Sequence, residues 1–224
     1  MASGHRIALV HATPVAVAPI AQAVAAGWPE AEAVNLLDES LGIGRARAAE
    51  LTPELSGRIG ALAAHAEAAG AVGVLFTCSA FGPPIEAATR RSGVPVPKPN
   101  EAMFDAAFSH GDRIALVCTF APAVASMVDE LEAEARRRGR SVAVTPILCE
   151  AALAALHAGD ADRHDRLIAE AVAGAQVDAI LLAQFSMARA APRCRTATRV
   201  PVLTSPETAV ARLQAAVEAK EPAC

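Results

Sequence analysis

The stretch RIALV at residues 6–10 occurs a second time, letter for letter, at residues 113–117. A short apolar run behind one charged residue is typical of a strand buried in a parallel sheet. Because the second occurrence lies deep inside the chain, the stretch is an element of the architecture and not a targeting signal. The repeat predicts that the chain contains two copies of one structural unit.

Two further matches occur at nearly the same interval. VPV at residues 94–96 recurs at 200–202, and the interval carries VLFTC at 74–78 onto ILLAQ at 180–184. A period of about 106 residues is far longer than the repeats of solenoid proteins. The matches therefore indicate a duplicated domain.

Within each copy, short apolar runs alternate with alanine-rich amphipathic stretches. The predicted strands are 6–11, 33–37, 72–77 and 94–97 in the first copy, and 113–118, 142–147, 178–183 and 200–203 in the second. The predicted helices are 16–26, 53–69 and 83–92, followed by 122–138, 150–157, 161–174 and 206–219. This alternation predicts an α/β protein built from two open parallel-sheet lobes, related by a pseudo-twofold axis.

The predicted division places the first lobe at residues 1–98, the second at 99–204, and a C-terminal helix at 205–224 that packs back on the first lobe. Ligands of such sheets bind at the carboxyl ends of the strands. A pseudo-twofold axis would bring these ends together, so we expect the active site in a cleft between the lobes, with Cys78 opposite Gln184.

The composition excludes several classes of protein. The chain has 224 residues, of which 53% are hydrophobic and 20% charged, with a net charge of −4, 3% aromatic residues and no tyrosine. The acidic balance argues against a nucleic-acid binder, and the lack of aromatic residues removes a base-stacking platform. The uncharged stretch 7–29 is interrupted by polar residues and prolines, so we expect no membrane span and a cytoplasmic location.

The five cysteines include no Cys-x-x-Cys pair, which argues against a zinc site and a disulfide framework and predicts reduced thiols. His164 lies between Asp162 and Asp165 on a predicted exposed helix, where the three side chains would not converge, so we expect no metal site. The glycines form neither a dinucleotide nor a phosphate loop.

The strongest local signal is FTCSAFG at residues 76–82. An apolar strand ends in Thr77 and Cys78, a small polar turn follows at Ser79 and Ala80, and a helix begins near Pro83. Backbone N–H groups and the helix dipole at such a turn favour a thiolate and can hold a carboxylate or an enolate oxygen. The alternative is that Cys78 is a buried, inert side chain.

These features resemble the aspartate/glutamate/hydantoin racemase superfamily. The resemblance covers the two-copy layout, the TCS segment at 77–79, its partner AQFSM at 183–187, and the segments PKPNEAM at 97–103 and VLTSP at 202–206. It implies an enzyme without a cofactor, in which two cysteines flank the α-carbon of the substrate. Cys78 matches the first of these cysteines, whereas Gln184 stands at the position of the second.

This departure leaves the reaction open, because an amide is neither an acid nor a base at ordinary pH. The resemblance implies a racemase or isomerase that acts through a thiolate beside the carboxylate of a small amino-acid-like substrate. A single-cysteine decarboxylase, a cis–trans isomerase and a non-catalytic carboxylate-binding protein are the alternatives. Ser186 and Cys118 are the candidates for supplying a second proton.

The remaining candidate ligands of the substrate also follow predicted strands. They are His11, Thr13, Asn100, Glu101, Thr119, Gln184, Phe185 and Ser186. Thr119 can instead cap a helix, His11 can be a structural residue, and Glu101 can simply begin a helix. We expect a small carboxylate as the partner of the site, no nucleic acid or membrane, and self-association of the chain.

Overall fold

The strands form two parallel sheets, as the alternation predicts, in a computed structural model that describes residues 5–220. The chain divides into two compact units: residues up to Pro99 together with those from Pro206 onward, and Asn100–Ser205. The prediction of two α/β lobes is confirmed. Between residues 5 and 220, no helix is both long and apolar enough to cross a membrane.

The first unit has a three-stranded sheet in the order β2-β1-β3. Its strands are β1 (Arg6–His11), β2 (Glu32–Leu37) and β3 (Gly73–Phe76). Its helices are α1 (Val17–Gly27), α2 (Glu39–Arg47), α3 (Pro53–Ala68) and α4 (Gly82–Arg91), with short 3₁₀ helices at Pro14–Ala16 and Ser79–Phe81. The strand β1 lies in the middle and is buried over Ile7–His11, which explains its uninterrupted apolar sequence.

The second unit has a four-stranded sheet in the order β5-β4-β6-β7. Its helices and strands are α5 (Glu101–Phe108), β4 (Arg113–Cys118), α6 (Ala121–Arg137), β5 (Ala143–Leu148), α7 (Glu150–His157), α8 (Ala161–Val172), β6 (Ala179–Leu182), a 3₁₀ helix at Phe185–Ala190, α9 (Ala191–Ala197) and β7 (Val202–Thr204). The central strand β4 repeats the burial pattern of β1 residue for residue.

The final helix, α10 (Ser205–Glu218), belongs to the first unit from Pro206 onward. Its side chains lie directly over β3, because a Cβ at Gly73 would come within 2.9 Å of Leu213 and Val217. Any larger residue at Gly73 would therefore have to displace the side chains of Leu213 and Val217.

The predicted strand at 94–97 is wrong, since no strand is assigned there. One ladder bond survives, from the N–H of Val74 to the carbonyl of Pro95 at 2.9 Å. Pro95, Pro97 and Pro99 cannot donate hydrogen bonds, so the segment lies beside β3 without becoming a regular strand. The matching segment of the second copy has one proline, Pro201, and continues into β7.

The helices α2, α5 and α9 were not predicted. The apolar pattern of α2 is interrupted by glycines at Gly42 and Gly44, which lower helix propensity. Asp38 nevertheless caps its first turn by accepting a hydrogen bond from the N–H of Ser40. The position of α2 matters, because it delivers a cationic side chain to the candidate site.

Candidate active site

In the first unit, the carboxyl ends of β1 and β3 bring three predicted site residues to one edge of the sheet. The strands are parallel neighbours, and the N–H of Thr77 donates to the carbonyl of Val10 at 2.9 Å. His11 is the last residue of β1, and Thr77 and Cys78 directly follow β3. The duplicated strand pattern was therefore enough to place His11, Thr77 and Cys78 together.

His11 is fully buried, and both of its ring nitrogens have partners. Its Nδ1 lies 2.8 Å from the hydroxyl of Thr77, and its Nε2 lies 2.8 Å from Oδ1 of Asn35 on β2. Burial lowers the pKa of His11, although the hydrogen bond to Asn35 opposes this shift. The imidazole is neutral near pH 7 and holds Thr77 in place beside the thiol.

Cys78 is partly exposed and stands immediately before the 3₁₀ helix that leads into α4. The backbone N–H of Ala80 donates to the thiol, and the charge of Arg45 lies close enough to favour its ionised form. Desolvation by the surrounding protein is the larger effect and raises the pKa of Cys78 from 9.0 to about 11. The expectation of a thiolate in the resting protein is therefore wrong, because burial outweighs the N–H group and the cation.

Arg45 is the site residue that the sequence did not reveal. It lies on α2, is only 6% exposed, and donates from Nη1 to the carbonyl of Ala48 at 2.8 Å. The helix lies tightly against the loop after β1, because a Cβ at Gly42 would be 2.7 Å from the carbonyl oxygen of Ala12. No motif surrounds Arg45, and nothing in the sequence distinguishes it from Arg47, two residues later, as the arginine that is buried.

The other predicted residues of this edge occupy the turns around Cys78 and His11. Ser79 and Ala80 are buried in the 3₁₀ helix, where Ala80 supplies the N–H group described above. Thr13 is half-buried at the start of the first 3₁₀ helix, and its carbonyl accepts a hydrogen bond from Ala16. The backbone N–H of Ala80 and the charge of Arg45 are therefore the polar groups that act on the thiol.

In the second unit, the corresponding edge is formed by Thr119 after β4 and Gln184 after β6. The side-chain oxygen of Gln184 accepts two hydrogen bonds from Thr119, one from its N–H at 2.5 Å and one from its hydroxyl at 2.9 Å. Thr119 does not cap α6, since Phe120 holds the cap position. The amide of Gln184 is oriented with its oxygen engaged and its NH₂ group as the remaining donor.

The candidates for a second proton donor lie in less reactive surroundings. Cys118 is fully buried and contacts the sulfur of Met127 at 4.0 Å, and burial raises the pKa of its thiol to about 12. Ser186 and Phe185 are buried in the 3₁₀ helix after Gln184. The geometry makes Cys118 a core residue.

Asn100 and Glu101 lie at the start of α5. The side chain of Asn100 is fully buried, and its oxygen accepts a hydrogen bond from the hydroxyl of Ser205 at 2.5 Å. Glu101 is half-buried, begins the helix, and forms a long ion pair of 3.9 Å with Arg137. In the structure, Asn100 joins the two ends of the second unit.

The expectation that His164 is exposed is wrong, because it lies fully buried on the inner face of α8, while Asp162 lies on the exposed face. Its Nδ1 contacts Asp165 at 2.7 Å, and Asp165 also binds Arg189. Among the described residues, no three His, Cys, Asp or Glu side chains are placed to hold a metal ion. Cys149 and Cys194 have pKa values raised by burial, and Cys224 lies outside the described residues.

The arrangement of strands and helices is shared with known proteins. A family model described as Asp/Glu/Hydantoin racemase matches residues 10–213. The chain belongs to this family. The match spans both units.

Solved structures of family members have the same fold. Glutamate racemase from Bacillus anthracis is 12% identical, with a TM-score of 0.78 over 96% of this chain and 82% of that one. Allantoin racemase from Pseudomonas fluorescens is 20% identical, with a TM-score of 0.68 over 96% and 91%. A variant of arylmalonate decarboxylase is 16% identical, with a TM-score of 0.62 over 98% and 96%.

No curated protein matches the sequence. The structural neighbours include racemases and a decarboxylase at low identity, so the likeness establishes the fold of the racemase family and leaves the reaction to be argued from the residues.

Proposed function

We propose that the protein is a cofactor-independent racemase or isomerase that moves a proton at the carbon next to the carboxylate of a small, amino-acid-like substrate. The observation that supports this proposal is the position of Cys78, partly exposed at the end of β3 with a backbone N–H and a buried arginine beside it. The family match supports an enzyme of this class.

Arg45 and the turn after Cys78 are the groups suited to a carboxylate. The guanidinium offers a fork of donors that matches a carboxylate. Backbone N–H groups at the start of a helix add a further favourable field for an anion. A substrate held in this way has its α-carbon close to the Cys78 sulfur.

In the proposed reaction, the Cys78 thiolate removes the α-proton, and the electron pair of the broken C–H bond moves into the carboxylate to give an enediolate. Arg45 stabilises the added negative charge, which is greatest at this stage. The thiol then returns a proton to carbon. With one acid–base group, return to the same face exchanges the hydrogen with solvent and retains the configuration, so inversion needs a second proton donor.

The raised pKa of Cys78 is the main cost of this reaction. A pKa of about 11 means that forming the thiolate at pH 7 requires about 5 kcal/mol. The same value favours a second candidate function, decarboxylation of a malonate-like substrate. There, loss of CO₂ leaves an enediolate that a neutral thiol protonates, and water then restores the proton on sulfur.

Hydrogen exchange in D₂O tests the proposal. The protein is incubated with a panel of amino acids, hydantoins and malonates, and deuterium at the α-carbon and released CO₂ are measured by mass spectrometry. We expect turnover with the unchanged protein and none with Cys78→Ala. Cys149→Ala is the matched control, because Cys149 is also a partly exposed thiol and should keep full activity.

The stereochemical outcome separates the alternatives. Exchange without inversion indicates a single acid–base group, and Gln184→Cys then tests whether a second thiol creates inversion. Release of CO₂ from malonates supports the decarboxylase, and ligand binding without any chemistry supports a carboxylate-binding protein. Full activity of Cys78→Ala would exclude the thiol mechanism. We place the reaction in the cytoplasm, where such thiols stay reduced.

A further inference from the structure

The strands β2 and β5 are the outer strands of their sheets and occupy equivalent positions in the two units. The pairing registers show this equivalence, because Asn35 lies beside Leu9 in β1 and Pro146 lies beside Leu116 in β4. In both sheets the outer strand carries an identical pattern of partial burial. The two edges can therefore be compared residue by residue.

Along β2, the backbone N–H and C=O groups point alternately toward the neighbouring strand β1 and toward the open edge of the sheet. The N–H groups of Glu32 and Asp38 donate to the carbonyls of His5 and His11, at the two ends of β1. By alternation, the N–H groups of Ala33, Asn35 and Leu37 face outward. In β5, the central outward position is Pro146, which has no N–H group. Proline protects the edge of the second unit against pairing with another strand, whereas β2 has neither a proline nor a lysine.

The unprotected edge is also apolar. Val34, Leu37 and Ile43 of α2 are 38%, 47% and 51% exposed, and Val34 and Leu37 lie on opposite faces of the strand. The charged residues at its two ends are already neutralised, Glu32 by Arg6 and Asp38 by Arg58. The surface therefore offers main-chain donors and acceptors between uncharged side chains.

We propose that β2 pairs with β2 of a second copy of the chain, antiparallel and about a twofold axis at Asn35. In this register the outward-facing residues meet one another, and about six backbone hydrogen bonds form across the axis. Ala33 lies opposite Leu37 of the partner subunit, and Val34 lies opposite Leu36 of the partner subunit. Apolar pairs then form on both faces of the joined sheet.

The occupant is a second copy because the strand complements itself. The register places no charged residue at the centre of the pairing. Its two outermost pairs each set Glu32 against Asp38 of the partner subunit, and each of these carboxylates already has an arginine partner in its own chain. A twofold interface needs a patch that matches itself in this way. The joined sheet would have six strands, within the usual range for open sheets.

A chain of two hydrogen bonds connects the proposed interface strand β2 to the residue before Cys78. Asn35 binds His11, and His11 binds Thr77, the residue before Cys78. Ordering β2 by association therefore holds the Asn35 side chain against His11. The interface itself does not depend on the proposed reaction, because it is argued from the edge strands alone.

Sedimentation velocity over about 1 to 100 μM protein tests the interface. We expect a dimer of twice 22.9 kDa for the unchanged chain. Leu37→Lys places a charge at the centre of each half of the interface and should weaken the dimer about 100-fold. Leu148→Lys is the matched control, because Leu148 is the equivalent residue of β5 and is 45% exposed, against 47% for Leu37.

Hydrogen exchange gives a second measurement that needs no variant. The amides of Ala33, Asn35 and Leu37 should exchange slowly at high concentration and rapidly after dilution below the dissociation constant. A monomer at all concentrations, equal dissociation by both lysine variants, or rapid exchange of these three amides in a dimer would each overturn the interface. Loss of activity with an intact dimer would concern the proposed function alone.

Discussion

The charge state of Cys78 is the property on which the chemistry depends, and it can be titrated directly. The desolvated thiol has a pKa of about 11, two units above its ordinary value, although Ala80 and Arg45 both favour the thiolate. At pH 7 about one molecule in 10⁴ is ionised. Only the thiolate reacts with iodoacetamide, so the alkylation rate reports this fraction.

The expected profile follows from these values. The rate of Cys78 alkylation should rise about tenfold for each pH unit from pH 7 to 10 and should not level off in that range. Arg45→Gln removes a favourable charge and should lower the rate at every pH, whereas Arg45→Lys retains the charge and should recover most of it.

The assay is a timed alkylation followed by proteolysis and mass spectrometry, which resolves each cysteine in one sample. Cys149 is the internal control, because it is also partly exposed, and burial without a nearby arginine raises the pKa of its thiol. A plateau for Cys78 near pH 8 to 9 would refute the dominance of burial. An unchanged profile in Arg45→Gln would refute the role of the guanidinium, provided that circular dichroism shows a folded protein.

Three further predictions concern stability. Gly42→Ala should lower the free energy of unfolding by about 1–3 kcal/mol, because its Cβ would meet a carbonyl oxygen at 2.7 Å. Gly57→Ala, in open space on α3, should raise the free energy of unfolding slightly. Urea titrations measure both effects. Burial lowers the pKa of His164 below 6.5, so the unfolded chain takes up a proton at a higher pH than the folded chain does. The free energy of unfolding should therefore fall as the pH drops below 6.5. His164→Gln should reduce this pH dependence, which urea midpoints measured across that range can show. Gln184→Ala leaves two donors of Thr119 without their acceptor and should cost about 1–3 kcal/mol by the same titration.

The prediction from sequence was most accurate for the central strands of the two sheets, which are buried on both faces. The boundaries of β1 and β4 match the prediction because a central parallel strand must be apolar along its whole length. The fourth strand of the first copy failed for a local reason, since its two prolines, Pro95 and Pro97, remove donors that the ladder needs. The repeat of VPV indicated common ancestry at 94–96, but it did not ensure a common hydrogen-bond pattern.

The candidate site shows a different limit. The position of Cys78 after a strand was predictable because a strand end is a local feature, and the positions of Thr77 and Ala80 followed from the same turn. The ionisation state was not predictable, because it depends on desolvation by residues far away in the chain. Arg45 lies on α2, 33 positions earlier, where its charge favours the thiolate, and α2 is held there by a close contact at Gly42 that only the folded chain reveals.

The hydrogen bonds of Gln184 limit what this strand end can bind. Its identity alone excludes acid–base chemistry at that strand end, and the structure adds that its oxygen already accepts two hydrogen bonds from Thr119. Only the NH₂ group is left, and an NH₂ group can donate but cannot accept. A ligand that reaches this strand end therefore meets a donor, which suits an oxygen of a carboxylate and disfavours an ammonium group. The amide at this position offers a hydrogen-bond donor, as the Arg45 guanidinium does in the first unit.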